Sequence, residues 1–211
     1  IPGKKFDYRG FDVSFRKEEK LRINKNQLFN LLDWVDNNGG YKLFDSRIVS
    51  STYFDNDELR MFKDSEEGTV PRKKIRIRSY SRRDHTQESS SLEVKISSVE
   101  GRYKTSTKLF NLKKFLHMGI LDKDYGICKP RVRVTYKRSY IKIHNVRLTI
   151  DQDIEYIQAS NKKESFFKNL DSEIAIEVKA NNQVSIGYLS KMFPFERLKF
   201  SKYSRAMRSI G

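Results

Sequence analysis

Lys74-Ile75-Arg76-Ile77-Arg78 is the stretch on which the reading of this chain turns. Alternation with period two puts the three cations on one face of a strand and the isoleucines on the other. Other segments repeat the scheme: Leu92-Glu93-Val94-Lys95-Ile96, Val146-Arg147-Leu148-Thr149-Ile150-Asp151 and Ile174-Ala175-Ile176-Glu177-Val178-Lys179. In Arg16-Lys17-Glu18-Glu19-Lys20, the residues Arg16, Glu18 and Lys20 share a side. A single strand of this kind is what any sheet with one wet face shows. Five together are a different matter, because the polar face is Arg and Lys with isolated carboxylates. The opposite face is Ile, Val and Leu and must itself be covered. A barrel with a charged interior and helices packed outside meets both demands. Interior charge of mostly one sign is costly without a partner, and a flexible run of phosphates threaded inside fits best.

Outward from these strands, period-two alternation predicts strands near residues 11–23, 48–55, 72–81, 90–97, 131–142, 145–151 and 173–180, with a weaker eighth at Asp153–Gln158. Asn24, with Gln27 three residues on, opens a helix carrying Leu28, Leu31, Leu32 and Val35, which Gly39-Gly40 ends. Further helices are predicted at Ser106–Met118 and at Val184–Phe193, the latter stopped by Pro194. Ser79–Ser91 reads as a loop between two strands. The fold class expected is α+β, mainly β: a closed antiparallel β-barrel of about eight strands with helices outside. The chain reads as a single domain over residues 1–211, with its core at about 11–205.

The 211 residues carry 43 Lys and Arg against 27 Asp and Glu, a net charge of +16, so a polyanionic partner is expected. The 14 Phe and 11 Tyr argue for a folded globule despite a mean hydropathy of −0.73. No apolar run is long enough to span a bilayer as a helix. One Cys, Cys128, excludes an internal disulfide and suits a reducing, cytoplasmic setting. With three scattered His, a four-ligand N/S zinc site is not expected. P-loop, dinucleotide and hydrolase signatures are missing, as are nucleic-acid-binding motifs, so no specific nucleic acid is expected. The chain opens on Ile1 rather than Met, as a piece of a longer protein would. A membrane partner or a further domain is compatible with that.

The ordered set of strand motifs resembles the VTC domain, the polyphosphate polymerase branch of the triphosphate tunnel metalloenzymes. The matching stretches are Arg16–Lys20, Ser51-Thr52-Tyr53-Phe54-Asp55, Ile75–Tyr80, Leu92–Lys95, Tyr136-Lys137-Arg138, Val146–Asp151, Ile176–Lys179 and Lys199-Phe200-Ser201-Lys202-Tyr203. The resemblance implies an eight-stranded tunnel binding a triphosphate and a divalent metal, Mn²⁺ or Mg²⁺. It implies transfer of the γ-phosphoryl group of ATP to a growing polyphosphate chain, with ATP and inorganic polyphosphate or pyrophosphate as partners. Carried over residue by residue, Lys20, Lys74, Arg76, Arg78, Lys95, Arg138, Arg147 and Lys179 are phosphate ligands. Tyr136 and Ser201 donate hydrogen bonds, and Lys199 and Lys202, with Arg76 and Arg78, stand at the reacting end. Glu177 is the metal ligand, with Glu18 and Glu93 as alternatives that otherwise hold an Arg rotamer. Many tunnel enzymes open with Glu-x-Glu-x-Lys, whereas this chain has Arg16-x-Glu18-x-Lys20; the missing carboxylate speaks against a hydrolase and agrees with the VTC branch.

Several charged residues read as structural instead. Asp151 is expected to orient Arg147 or cap a turn, and Lys17, Arg131, Arg133 and Lys137 to lie outside the tunnel. Trp34 is expected to pack its helix on the barrel, and His85 to be exposed. The competing functions are a triphosphatase acting on tripolyphosphate or on a nucleotide or RNA 5′-triphosphate, and a catalytically idle polyphosphate-binding regulatory domain.

Overall fold

The structure, a computed structural model, describes residues 16–81, 89–159, 168–181, 183–192, 198 and 200–210. Among the described residues ten strands and five helices follow in the order β1 (Arg16–Ile23), α1 (Lys25–Asn37), β2 (Tyr41–Asp55), α2 (Arg60–Glu67), β3 (Arg72–Ser81), β4 (Ser89–Ser98), β5 (Gly101–Leu109), α3 (Leu112–Met118), β6 (Ile120–Asp122), β7 (Gly126–Ile143), β8 (Val146–Gln158), β9 (Lys168–Leu170), β10 (Ile174–Asn181), α4 (Ile186–Met192) and α5 (Lys202–Ile210). Eight strands pair antiparallel in the order β1-β10-β8-β7-β2-β3-β4-β5, with β6 added to β7 and β9 to β8. The mainly β, antiparallel tunnel architecture with α1 and α3 packed outside is therefore as expected, while α5 packs on the concave side. The hydrogen-bonded path has two ends, and among the described residues no β1–β5 pairing closes it into a ring. The sheet curls until Lys20 of β1 repels Lys95 of β4 across the concave side. Cations on the inner faces of both end strands oppose zipping them together.

Several elements differ from the sequence expectation. Residues 101–109, partly assigned to a helix over Ser106–Met118, form strand β5, and α3 starts only at Leu112 behind the N-cap Asn111. The leucine spacing that suggested one helix joins a strand-end residue, Leu109, to Leu112 and Leu116 of α3, and all three pack on one apolar cluster. Asp153–Gln158 is not a separate strand but the continuation of β8. Strand β2 begins seven residues earlier than expected, and the serine-rich loop is shortened at both ends by β3 and β4. His85 lies outside the described residues.

The convex face is sealed as the alternation requires. Leu28, Leu31 and Val35 of α1 pack on Leu21, Ile143, Leu148 and Ile176, with Trp34 against the same cluster. Asn24 and Gln27 form a reciprocal capping box, each at 2.9 Å, and Gly39 leaves the helix with a φ of 71° that favours glycine. Ile75 and Ile77 join Phe54, Met61 and Cys128 under α3. On the concave side the sheet is divided. One half is apolar, with Val49, Val132 and Val134 under Tyr203, Ala206 and Met207 of α5; the other half is charged. Among the described residues no helix is long and apolar enough to cross a membrane.

Asp55, fully buried at the end of β2, ties these parts together. Its carboxylate accepts from Met61 N at 3.0 Å and Phe62 N at 2.9 Å, holding the start of α2, and from Tyr203 Oη at 2.6 Å, docking α5. Asp55→Ala leaves four donors without their acceptor, these three and Asn56 N at 2.9 Å. At about 1–3 kcal/mol for a buried unsatisfied group, it is expected to cost on the order of 3 kcal/mol or more, read as a lower urea midpoint at unchanged slope. A loss within 1 kcal/mol would show that the helices dock without it.

Candidate functional site

Pairing register decides which side chains meet on the charged half. Arg76 faces Glu93 across β3–β4, Lys74 faces Lys95, and Lys95 in turn faces Lys104 of β5. On the far wall Arg138 of β7 faces Asp151 of β8, Tyr140 faces Thr149 and Lys142 faces Arg147. Thr149 then faces Glu177 of β10, Arg147 faces Lys179, and Lys20 of β1 faces Glu177.

Two arginine stations are held rigidly. Arg76, 8% exposed, donates through Nε at 2.7 Å and Nη2 at 2.5 Å to Glu93, and through Nη1 at 3.1 Å to Tyr53 Oη. Arg78 donates to Ser51 Oγ at 3.3 Å and to Tyr136 Oη at 3.2 Å, and lies 3.8 Å from Glu93. Lys104 closes on the other oxygen of Glu93 at 2.6 Å. Burial pushes the Glu93 carboxyl up, but Arg76, Arg78 and Lys104 outweigh it and hold it at about 2. At the second station Arg138 grips Asp151 with two bonds of 2.6 and 2.8 Å, and Lys202 reaches the same carboxylate at 2.7 Å. The partner of Asp151 is therefore Arg138 rather than Arg147: the two face each other in register, while Arg147 lies four residues up its own strand. Lys202 is the first residue of α5 and sits over the Tyr136 ring, 4.8 Å from its centroid.

The third feature is a group of lysines with little compensation. Lys74 donates to Ser201 Oγ at 3.1 Å, and Ser201 Oγ also accepts from Ser204 N at the start of α5. Burial, with repulsion from Lys20, Arg72 and Lys95 and some relief from Tyr53, brings Lys74 down to about 8. Burial, then Arg76 and Lys20, brings Lys95 down to about 7, with Glu18 and Glu177 opposing. Toward the rim, Lys142, Arg147 and Lys179 line a cavity of about 340 Å³ with Tyr41, Leu43 and Asn145. Arg147 Nε is buried there with no acceptor among the described residues.

Of the three candidate acids, Glu93 has both oxygens engaged by cations. Glu177 and Glu18 lie together on neighbouring strands. Burial raises Glu177, but a hydrogen bond with Glu18 and the charges of Lys179, Arg138 and Lys20 hold it well below the usual carboxylate range. Among the described residues no three His, Cys, Asp or Glu side chains gather. Two carboxylates are nonetheless a sufficient protein share for a hard divalent ion whose other ligands are phosphate oxygens and water. The donor chemistry fits such an ion. Lys199 lies outside the described residues, as does the side chain of Arg16.

The concave wall also contains residues the sequence reading did not single out as site residues. Ser51 and Tyr53 present polar atoms to the arginines, and β5 adds Lys104 with Arg102, Ser106 and Lys108 on the same face. The signal was present in Arg102-Tyr103-Lys104-Thr105-Ser106-Thr107-Lys108, whose cations also alternate, although the helix reading, over Ser106–Met118, took in its second half.

A pH dependence follows. Folded Lys95 and Lys74 release protons at about 7 and about 8, below the unfolded value near 10.4. Across that window the unfolded chain binds more protons, so stability rises with pH; below about 7 the penalty is fully present. The melting temperature of the ligand-free protein is expected to climb from about pH 7 to 9, and Lys95→Met to flatten the climb. A fall over that range would contradict it. Tripolyphosphate binding near pH 8 should take up protons, seen as a dependence of the calorimetric heat on buffer ionisation enthalpy.

Comparison with known proteins places this geometry. The structure resembles a candidate adenylate cyclase from Vibrio parahaemolyticus, at a TM-score of 0.54 and 15% identity over 92% of this chain and 98% of that one. It also resembles the candidate adenylyl cyclase HpAC1 from Hippeastrum, described as having a dominant triphosphatase activity, at a TM-score of 0.52 and 16% identity over 91% and 94%. At such identities the likeness is one of fold. No curated protein matches the sequence. The VTC domain model matches residues 15–126 and 121–210, spanning both arginine stations and the lysine group, and the chain belongs to the VTC domain family.

Proposed function

We propose that this chain is an ATP-dependent polyphosphate polymerase that transfers the γ-phosphoryl group of ATP to a growing polyphosphate chain in a basic tunnel. The observation that carries the reading is the pair of arginine stations. Glu93 and Asp151 fix Arg76, Arg78, Arg138 and Lys202 on one concave wall before any ligand arrives. Phosphoryl transfer passes through a loose transition state, so catalysis is mostly positioning and charge neutralisation. Planar guanidiniums held in place suit that task.

In this reading the terminal oxygen of the polyphosphate chain attacks the γ-phosphorus, the bond to the β–γ bridging oxygen breaks, and ADP leaves. Arg76, Arg78 and Arg138 hold the phosphates in line. Lys202, already charge-paired with Asp151, faces the developing charge from α5. Lys74, Lys95, Lys20 and Lys199 balance the remaining negative charge, and Lys179 and Arg147 steady the chain toward the rim. Tyr136 and Ser201 supply hydroxyls. Glu177 with Glu18 would hold a divalent ion, Mn²⁺ or Mg²⁺, which would supply positive charge against the repulsion of the phosphates. The whole chain serves as one tunnel domain in this reading.

A second reading, a triphosphatase with water as acceptor, draws on the activity described for the Hippeastrum neighbour. The product decides between them. With ATP and Mn²⁺ the protein is expected to yield ADP and polyphosphate in step; orthophosphate without chain growth would establish the hydrolase instead. Arg76→Ala is expected to lower kcat by roughly 10²–10³-fold, and Glu177→Ala to abolish the response to added metal. Activity unchanged in both variants would reject the site.

A further inference from the structure

We propose that Phe44, Arg47 and Tyr140 form a nucleobase-stacking platform on the tunnel wall, which takes the purine ring of a nucleoside triphosphate. The proposal rests on the reading above that the tunnel binds such a ligand, and it adds a subsite for the part that is not phosphate.

The backbone is built to assemble these three side chains. In its first half strand β2 shifts register against β7 between Lys42 and Phe44 and again between Phe44 and Arg47. In a regular strand, residues three apart point to opposite faces. Here the irregularity brings Phe44 opposite Tyr140 and Arg47 opposite Arg138, so both stand on the face that carries the Arg138–Asp151 station. Bulges often re-aim side chains beside functional sites. The Phe44 and Tyr140 rings meet edge to face, 5.8 Å between centroids at 80°. The Arg47 guanidinium lies 5.8 Å from each centroid.

The position suits a base. Tyr140 is two residues along β7 from Arg138 and level with Thr149 and Glu177. The platform therefore begins roughly 7 Å up the wall from the arginine that grips Asp151. Phe44 is 48% exposed even so. A phosphate chain has no use for an open phenyl ring, and a half-exposed Phe beside cations gains little from the core. A purine face does use one, because aromatic rings and guanidinium planes both stack on it. The wall thus offers charge for the triphosphate and, next to it, a rigid aromatic and planar-cation surface for the base.

The test is calorimetric titration of the full chain in metal-free buffer, where ATP and tripolyphosphate are compared without turnover. Phe44→Ala is expected to weaken ATP roughly five- to hundredfold while changing tripolyphosphate less than about twofold. Phe44→Trp is expected to restore ATP binding, which separates stacking from a folding defect. If the wild type binds both ligands and Phe44→Ala leaves ATP unchanged, or weakens the two ligands equally without rescue by Phe44→Trp, the platform falls and the tunnel reading stands. If the wild type binds neither ligand, the tunnel reading fails and takes the platform with it.

Discussion

Crowding of like charge on one curved face is the constraint on which the rest of this structure depends. Arg and Lys stand on the inner face of β3, β4, β5, β7, β8 and β10, so curling the sheet drives them together. Charges removed from water are costly unless paired. The fold answers with two buried carboxylates, each shared among several cations: Glu93 among Arg76, Arg78 and Lys104, and Asp151 between Arg138 and Lys202. One acid per two or three bases fixes geometry without cancelling charge. The residual positive potential remains for a ligand.

The uneven sharing divides the cations into two kinds. Arginines bound to buried carboxylates are fixed forks and permanently charged. Lys74 and Lys95 have no such carboxylate partner among the described residues and shed protons near physiological pH. An anion entering between them restores both protons and so meets more positive charge than the free protein carries. Rigid arginines thus set where phosphates sit, while the lysines adjust how strongly they are held. Glu177 and Glu18 form a third kind, an acidic pair on neighbouring strands beside Lys20 and Lys179.

The strand parity of Ile75–Arg78, Leu148–Asp151 and Ile176–Lys179 was legible because a two-residue period needs only local sequence. So was α1, whose capping box and leucine spacing are short-range signals. What escaped the reading was non-local. Strand β5 was taken in part for a helix because Leu109, Leu112 and Leu116 mimic a helical stripe while packing from two elements onto one cluster. Asp151 was matched to its near neighbour Arg147 because register across β7–β8 is invisible in one strand. The bulges of β2 that bring Phe44 and Arg47 onto one face erase the alternation by which they would have been placed. Helix α2 was missed because its first amides are held by Asp55, six and seven residues upstream, and α5, although Ser201 caps its start locally, is docked by a distant contact of Tyr203 with Asp55.

Asp55 also shows why core and site cannot be separated in this fold. It belongs to the same face of β2 as Ser51 and Tyr53, which contact the arginines, yet its partners are the helices. Through Tyr203 it docks α5 on the apolar half of the concave wall, and Arg205 secures the same helix to Asp171 with two bonds of 2.7 Å. That helix begins with Lys202 and is preceded by Ser201, whose hydroxyl meets Lys74. One element thus fills the hydrophobic half of the curl and delivers a cation and a hydroxyl to the charged half. Its burial energy is what holds those two groups in position. The boundary between the apolar and charged halves is therefore also the boundary at which stability is converted into positioning.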